Sequence, residues 1–504
     1  MLSSDWAQHV LGWLFFRKDG WHFPLGAIRG AAYPLGTSVG YTDSNPIVAI
    51  ALKPLSSLLP LEVQYIGPWL GLCFALQGFF GARLVASVAK GHLVPLLGGL
   101  MFATAPALLQ RLAHDTLCSH FLLLAAIGLH LAPGAHARAR RAMVGVVLLA
   151  AGIHPYLAIM ALVLGVGLFY HHHARGALSR RELLGWSAGS SIAVLVVFLL
   201  IGYFGGGVDP GAGGIGEFSA SPLTLFDSMG HSRVLPALPS GKSQYEGFAY
   251  LGLGGVALVV AACVAFVRER RSGLDLSFLP RPLRWASLGL AVFAMIPWFP
   301  PGLSSILSPL RSSGRFVWTF SYVALLVAIA IVVRAFSARP AIAAAIMAVA
   351  LALQIVDAQP DHVRPKFASK PSGAPYAAGW ESARGDYRHL ALYPMEIWRA
   401  CTPWDEDLSI RYAYRAYLSG LTFNSGYFAR INRAAAKRAC AELTRDVESG
   451  RLDAATIYVL SRPEDVAPFR AAGATCGRLE PDTTICVASP NTDLAKLLTT
   501  HHPL

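Results

Sequence analysis

The chain has 504 residues, of which 54% are hydrophobic and 14% charged, with a formal net charge of +13. A soluble globular protein carries about 25% charged residues, so the composition excludes one large soluble globule and predicts a polytopic membrane protein with a polar part. The arginines fall between apolar runs, the pattern of cytoplasmic loops, so no nucleic-acid partner is predicted.

The first residues, "MLSSDWAQHVLGWLFFRKDG", have neither a basic n-region nor a small-residue cleavage site, and no cleavable signal peptide is read there. Trp6, Val10, Trp13 and Leu14 recur at helical spacing and predict an amphipathic helix lying in the membrane interface. The polar stretch "GTSVGYTDSNP" (36–46) then leads into "IVAIALKPLSSLLP", an apolar run with one lysine, Lys53.

A membrane helix needs about 20 mostly apolar residues. Ten spans are read, near 64–86, 92–110, 115–133, 140–154, 156–172, 183–203, 247–267, 284–300, 316–335 and 340–357. The fourth and fifth are short and divided by "IHPY", where Pro155 predicts a break.

Basic residues crowd alternate loops: Arg83 and Lys90; Arg138, Arg140 and Arg141; Arg175, Arg180 and Arg181; Arg268, Arg270, Arg271, Arg281 and Arg284; Arg334 and Arg339. Those loops are assigned to the cytoplasm. Residues 1–63, 204–246 and everything after about 358 then lie outside. An outside N-terminus without a signal needs an earlier span, so a further N-terminal helix is expected. The alternative is a short N-terminus that crosses unaided.

From "DAQPDHVRPKF" onward the chain is polar and alternates β-like runs ("HLALYP", "TIYVLS", "TTICVAS") with helical ones ("NRAAAKRACAELTRDVESG"). This predicts a periplasmic α/β domain of ordinary size. Cys401, Cys440, Cys476 and Cys486 fall here, an even set that predicts two disulfides in an oxidising compartment. Three connectivities are open. Cys401 with Cys440 and Cys476 with Cys486 is preferred, because the last two flank a plausible hairpin. No CxxC spacing occurs, which disfavours zinc.

The fold class is therefore an α-helical polytopic membrane protein with a C-terminal periplasmic α/β domain. Its parts are 1–63, a first outer loop with interfacial helices; 64–357, the transmembrane domain; and 358–504.

Polar residues at the outer boundary carry the functional information. They are Asp5, His9 and Asp43 before the spans, and His114 with Asp115, Cys118 and His120 in "HDTLCSH". Further along come His154 and Tyr156 in "IHPY", Glu246 in "QYEGFAYLGLG", and Arg311 and Arg315 in "LRSSGRFVW". Each also has an ordinary structural reading. Asp5 and Asp43 fit helix N-caps. Glu246 fits a solvated interfacial charge, the arginines fit lipid headgroups, and "HDTLCSH" fits a helix start better than a metal ligand set. Together they point to chemistry. A carboxylate near lipid gains a raised pKa and can act as a general base, and arginine's planar fork suits phosphate. The predicted reaction is attack by an acceptor hydroxyl on a sugar carbon, with polyprenyl phosphate leaving.

The stretch "DWAQHVLGWLFFRKDGWHFPLG…YPLGTSVGYTDSNPIVAIALKPLSSLLP" resembles the first outer loop of GT-C type membrane glycosyltransferases. More closely, it is similar to a bacterial family of GT-C-like membrane proteins with no assigned function. "HDTLCSHFLLLAAIGLHL", "IHPYLAIMAL", "YEGFAYLGLG" and "SSGRFVW" extend the resemblance over nearly the whole membrane part. It implies Asp5 as the acidic residue that serves as base or metal ligand, and Asp43 in the part of the loop that contacts donor or phosphate. The chain departs from the pattern: the usual first span is missing, and no DxD or paired Asp-Glu occurs in the loop. A divalent metal is thus open, and no other cofactor is expected. The implied partners are membrane lipid, a polyprenyl-phosphate-linked sugar donor, and a glycan, lipid or protein acceptor at the bacterial inner membrane. His9, His114, His154, Tyr156, Glu246, Arg311 and Arg315 would bind substrate. A lipid or glycan transporter, or a non-catalytic scaffold, is the alternative.

Overall fold

A computed structural model describes residues 4–132, 134, 136–205, 215–268, 276–358, 378–383, 385–401 and 404–500. Arg270 and Arg271, used for orientation, lie outside the described residues. The chain divides into two compact units. One contains Met1–Gln64, Leu199–Asp209 and Pro365–Leu504; the other contains Tyr65–Phe198 and Pro210–Arg364.

In the first unit, the N-terminal segment and the C-terminal domain build one core. The chain opens with helix Ser4–Lys18 and a two-stranded hairpin, β1 (Ala27–Ile28) against β2 (Thr37–Ser38). The C-terminal sheet holds β3 (His389–Tyr393), β4 (Thr422–Phe423), β5 (Thr456–Leu460), β6 (Thr475–Glu480) and β7 (Thr483–Val487), in the order β4-β3-β5-β7-β6. β3 runs parallel to β4 and β5, while β7 is antiparallel to β5 and β6. The predicted runs at 389, 456 and 483 are β3, β5 and β7. Their central residues are buried and apolar, which makes such strands readable.

Residues 30–33 extend this sheet. Phe423 N–H donates to Gly30 O at 2.8 Å and Tyr33 N–H to Phe423 O at 2.9 Å, so the N-terminal segment covers the β4 edge. Helix Glu406–Ser419 starts on an Asp405 side chain that accepts from Leu408 N–H, and stops at left-handed Gly420. Helix Arg433–Glu448 starts on Asn432 in the same way. Both disulfides pair as preferred, Cys401 with Cys440 and Cys476 with Cys486. Cys476 and Cys486 are direct cross-strand neighbours of the β6–β7 hairpin.

Helix Ser4–Lys18 corrects the interfacial reading. Trp6, Val10, Trp13 and Leu14 are buried, but so are Gln8, His9, Phe15, Phe16 and Arg17. A helix buried on nearly all sides is a core helix. Arg17 is satisfied by the carbonyls of Ser56, Leu59, Pro60 and Leu61 at 2.6–3.0 Å. Trp13 Nε1 donates to Val63 O at 2.9 Å. Phe15 meets the Tyr417 ring edge-on, and Lys18 Nζ donates to Tyr417 O at 2.7 Å. The lone Lys53 of the apolar run lies 3.9 Å over the Phe16 ring and donates to Gly20 O at 2.9 Å, a cation–π seat in place of water.

The second unit is helical. Among the described residues, five helices are long and apolar enough to cross a membrane: Ile66–Ala86, Pro155–Ala174, Arg180–Ile201, Ser313–Ala335 and Pro340–Asp357. The other predicted spans coincide with helices that are shorter or, at His136–Ile153, basic at the start. The break in "IHPY" falls where Pro155 predicts it: one helix ends at Ile153 and the next starts at Pro155. Small residues set the close helix approach expected in lipid. A Cβ on Gly99 would meet Gly78 O at 2.6 Å, joining helix Leu93–Ala103 to helix Ile66–Ala86. The last helix is locked by its final residue: Asp357 accepts from Ser232 Oγ, from Tyr250 Oη at 3.0 Å and from Leu253 N–H at 3.0 Å.

Candidate functional site

The predicted residues fall into two constellations, one per unit. In the first unit, Asp5 lies in the first turn of helix Ser4–Lys18, inside the helix rather than at its N-cap. The positive end of the helix dipole favours a carboxylate there. His9 follows one turn later on the same face, and its Nε2 is 3.4 Å from Asp43 Oδ2. Ser44 Oγ donates to His9 O at 2.7 Å and meets Thr42 Oγ1 at 2.8 Å, which ties the 42–44 turn to the helix. Burial first, then the Asp43 charge and Tyr41, push the Tyr203 hydroxyl well above the usual phenol range.

The capping reading of Asp43 is corrected by the backbone. The N-cap of helix Pro46–Leu52 is Asn45, and its side chain makes no cap hydrogen bond. Asp43 (φ 52°) and Asn45 (φ 47°) both sit in the left-handed region, a strained conformation for non-glycine residues. Asn45 is 0% exposed, and neither its Oδ1 nor its Nδ2 has a hydrogen-bond partner among the described residues. An orphaned buried amide in a native fold marks a polar group kept for a ligand, water or ion. Sequence reading quoted Asn45 within "YTDSNP" without assigning it a role. As metal ligands, His9 and Asp43 supply one imidazole nitrogen and one carboxylate oxygen, about half of a tetrahedral zinc shell.

In the second unit, Glu246 is the centre. Arg315 grips it with a two-pronged fork, Nη2 to Oε1 at 2.9 Å and Nε to Oε2 at 3.0 Å. Arg111 Nη1 donates to Oε2 at 2.8 Å, and Arg111 Nη2 reaches the carbonyls of Tyr245 and Glu246. Burial alone would raise the Glu246 pKa, but Arg315 and Arg111 hold it well below the usual carboxylate range. Glu246 is therefore an ionised clamp and a poor proton acceptor, and it is not the solvated interfacial charge of the ordinary reading.

Two glycines permit this meeting. A Cβ on Gly314 would lie 2.6 Å from Gly247 Cα, and one on Gly247 would lie 2.5 Å from Ala220 Cα, so "YEG" and "SSGR" approach backbone to backbone. Tyr156 supports the cluster: its hydroxyl accepts from Ser312 N–H at 2.8 Å, and its ring lies 4.9 Å beneath the Arg315 guanidinium. His154 caps helix Pro155–Ala174 by accepting from Tyr156 N–H. His114 is close enough to Glu246 to favour its charge. Arg311 lies 5.9 Å over the Phe218 ring. The Trp318 ring has the Arg111 guanidinium at 5.3 Å and the His120 ring at 4.3 Å, while its Nε1 donates to Phe248 O at 3.0 Å. Arg111 is a member of the cluster to which sequence analysis assigns no role.

These features define a membrane protein with apolar helices and two buried polar constellations. The chain belongs to the DUF6311 family, a domain of unknown function that matches residues 1–359, and the DUF6311 C-terminal domain matches residues 379–488. No curated protein matches the chain by sequence. A solved structure that resembles it is the archaeal oligosaccharyltransferase AglB from Archaeoglobus fulgidus, in complex with an inhibitory peptide and a dolichol-phosphate. That resemblance has a TM-score of 0.43 at 10% identity and covers 98% of this chain and 73% of that chain.

Proposed function

We propose that this protein is a glycosyltransferase of the bacterial inner membrane, moving a sugar from a polyprenyl-phosphate donor to an acceptor on the periplasmic side. The observation that carries the reading is the contact of His9, on helix Ser4–Lys18, with Asp43 in a left-handed turn, next to the buried amide of Asn45, which has no hydrogen-bond partner among the described residues. Strain and orphaned polar groups collect at sites that bind or react.

Asp5 is assigned as the base and Asp43, steadied by His9, as the group that positions donor or acceptor. The base takes the proton of the acceptor hydroxyl, whose oxygen bonds to the sugar carbon. The bond from that carbon to the phosphate oxygen breaks, and polyprenyl phosphate leaves with the electron pair. Arg311 and Arg315 are assigned to phosphate. The Arg315 fork is filled by Glu246, and two arginines against one carboxylate leave one positive charge in the buried cluster. That surplus, with Arg311, attracts an anion. His114, His154 and Tyr156 are assigned to shaping this region.

Asp5→Asn and Asp43→Asn test the proposal. Loss of a general base costs about 100- to 10,000-fold in rate, so Asp5→Asn lowers transfer from a polyprenyl-phosphate-linked sugar by at least the lower figure. Asp43→Asn lowers it less, and both keep the wild-type melting temperature. If both substitutions leave transfer intact, the enzyme reading fails. The protein is then a transporter or a scaffold, which comparison of lipid-linked glycans in wild-type and deletion strains separates.

A further inference from the structure

Helices His136–Ile153 and Arg180–Ile201 flank a groove of about 360 Å³ lined by Val144, Glu182, Gly185, Trp186, Gly189 and Ser190. Its floor is open: a Cβ on Gly185 or Gly189 would meet nothing within 4 Å. Leu184, Ile192 and Leu195 stand exposed on the same helix, as side chains facing lipid do. Arg140 is one turn before the lining residue Val144, and its guanidinium lies 5.8 Å over the ring of the lining residue Trp186. Its Nε and Nη1 are buried and have no hydrogen-bond partner among the described residues. The neighbouring carboxylate, Glu182, accepts from the Ser179 N–H and hydroxyl at 2.8 Å on one oxygen, and is near enough for its charge to attract Arg140, but the two share no hydrogen bond among the described residues. The remaining close company is basic, with His172 beside Arg140 and the His136 ring 4.5 Å from His172.

A buried cationic donor without an acceptor costs more than a neutral one. An anion from the membrane would satisfy it, and the groove continues from that point along an apolar floor. We propose that this groove is a binding site for an anionic phospholipid, with its phosphate on Arg140 and one acyl chain along Val144, Gly185 and Gly189. Basic pockets between membrane helices hold such headgroups. The site stands apart from the proposed transfer chemistry and does not depend on it. A second helix packed on Gly185 and Gly189 would cover the floor and still leave the Arg140 nitrogens unpaired, so the lipid fits better.

The test is native mass spectrometry of the full chain, released from micelles doped with phosphatidylglycerol or phosphatidylcholine. Wild type retains phosphatidylglycerol in preference to phosphatidylcholine. Arg140→Gln lowers phosphatidylglycerol retention by about tenfold, the loss expected for one charged hydrogen bond. Gly189→Leu, which leaves Arg140 untouched and fills the floor, lowers it as well and keeps the test usable if Arg140→Gln does not fold. Equal retention of the two lipids by wild type overturns the proposal, as does unchanged phosphatidylglycerol retention in either variant. A dimer that Gly185→Leu converts to monomer also overturns it, by showing that a second copy covers the groove.

Discussion

The two polar constellations treat their charges in opposite ways. Around Glu246, the carboxylate oxygens receive three charged hydrogen bonds from two arginines, and the backbone is made for the meeting by Gly247 and Gly314. Around Asp43, the turn carries two non-glycine residues in the left-handed region and a buried amide with no hydrogen-bond partner among the described residues. Both Glu246 oxygens are engaged, with Arg111 Nε the buried donor left over among the described residues, whereas neither polar atom of the Asn45 amide has a partner among them, and each unpaired buried group costs stability. The contrast separates positioning from chemistry: the Glu246 cluster sets a fixed surplus of positive charge, and the Asp43 turn holds groups in readiness.

The largest effect that follows is on stability. Glu246→Ala leaves Arg111 and Arg315 buried against each other, and breaking a buried pair in this way costs about 3–5 kcal/mol. Asp43→Asn, at the other constellation, keeps the side-chain shape and a residue that enters the left-handed region readily, and changes stability by about 1 kcal/mol or less. Thermal unfolding of both variants in one detergent checks this. Equal losses would erase the distinction between the two regions.

A second difference appears in acid. The Glu246 pKa is depressed, so the stability it contributes is fully present above the unfolded value of about 4.3 and is lost as pH falls below it. Glu396, in the C-terminal domain, behaves in the opposite sense. Burial raises its pKa to about 7, against one hydrogen bond from Asp405 N–H at 2.8 Å. A raised carboxyl pKa means that the fold favours the protonated form. Stability from this group is therefore present below about pH 4.3 and falls as pH rises toward about 7. Melting temperatures across that interval should decline in wild type and decline less in Glu396→Gln. A slope that survives the substitution assigns it to another group.

What the sequence made legible follows from the range of the interactions. Apolar runs located the membrane helices, and Pro155 located a break, because both are local properties. The β6–β7 hairpin made the Cys476–Cys486 pairing readable, since its partners are ten residues apart. The burial of helix Ser4–Lys18 was not readable, because Lys18 meets Tyr417 across 399 residues. Arg111 and Glu246 are 135 residues apart, so nothing local in the sequence joins them. Asn45 stood in plain view, but a turn asparagine gives no local sign that its amide will be buried and unpaired.

Asn45 gives the smallest stability effect and the sharpest division between the regions. Its φ of 47° suits glycine better than asparagine, and its side chain makes no cap bond that a substitution could lose. Asn45→Gly removes the backbone strain and the orphaned amide together, at the cost of extra freedom in the unfolded chain. Asparagine enters the left-handed region more readily than most residues, so little strain is relieved, and the amide penalty of about 1–3 kcal/mol is offset by opposing entropy and lost packing of about 1–3 kcal/mol together. The expected outcome is a melting temperature at or slightly above wild type, with a marked loss of sugar transfer. A residue kept only for the fold would show the reverse, a lower melting temperature with activity retained in whatever protein remains folded. That result would mean that the amide is satisfied by an ordinary structural water. The Asp43 turn would then be a tight connection into helix Pro46–Leu52, and the search for the reacting groups would move to Asp5 alone.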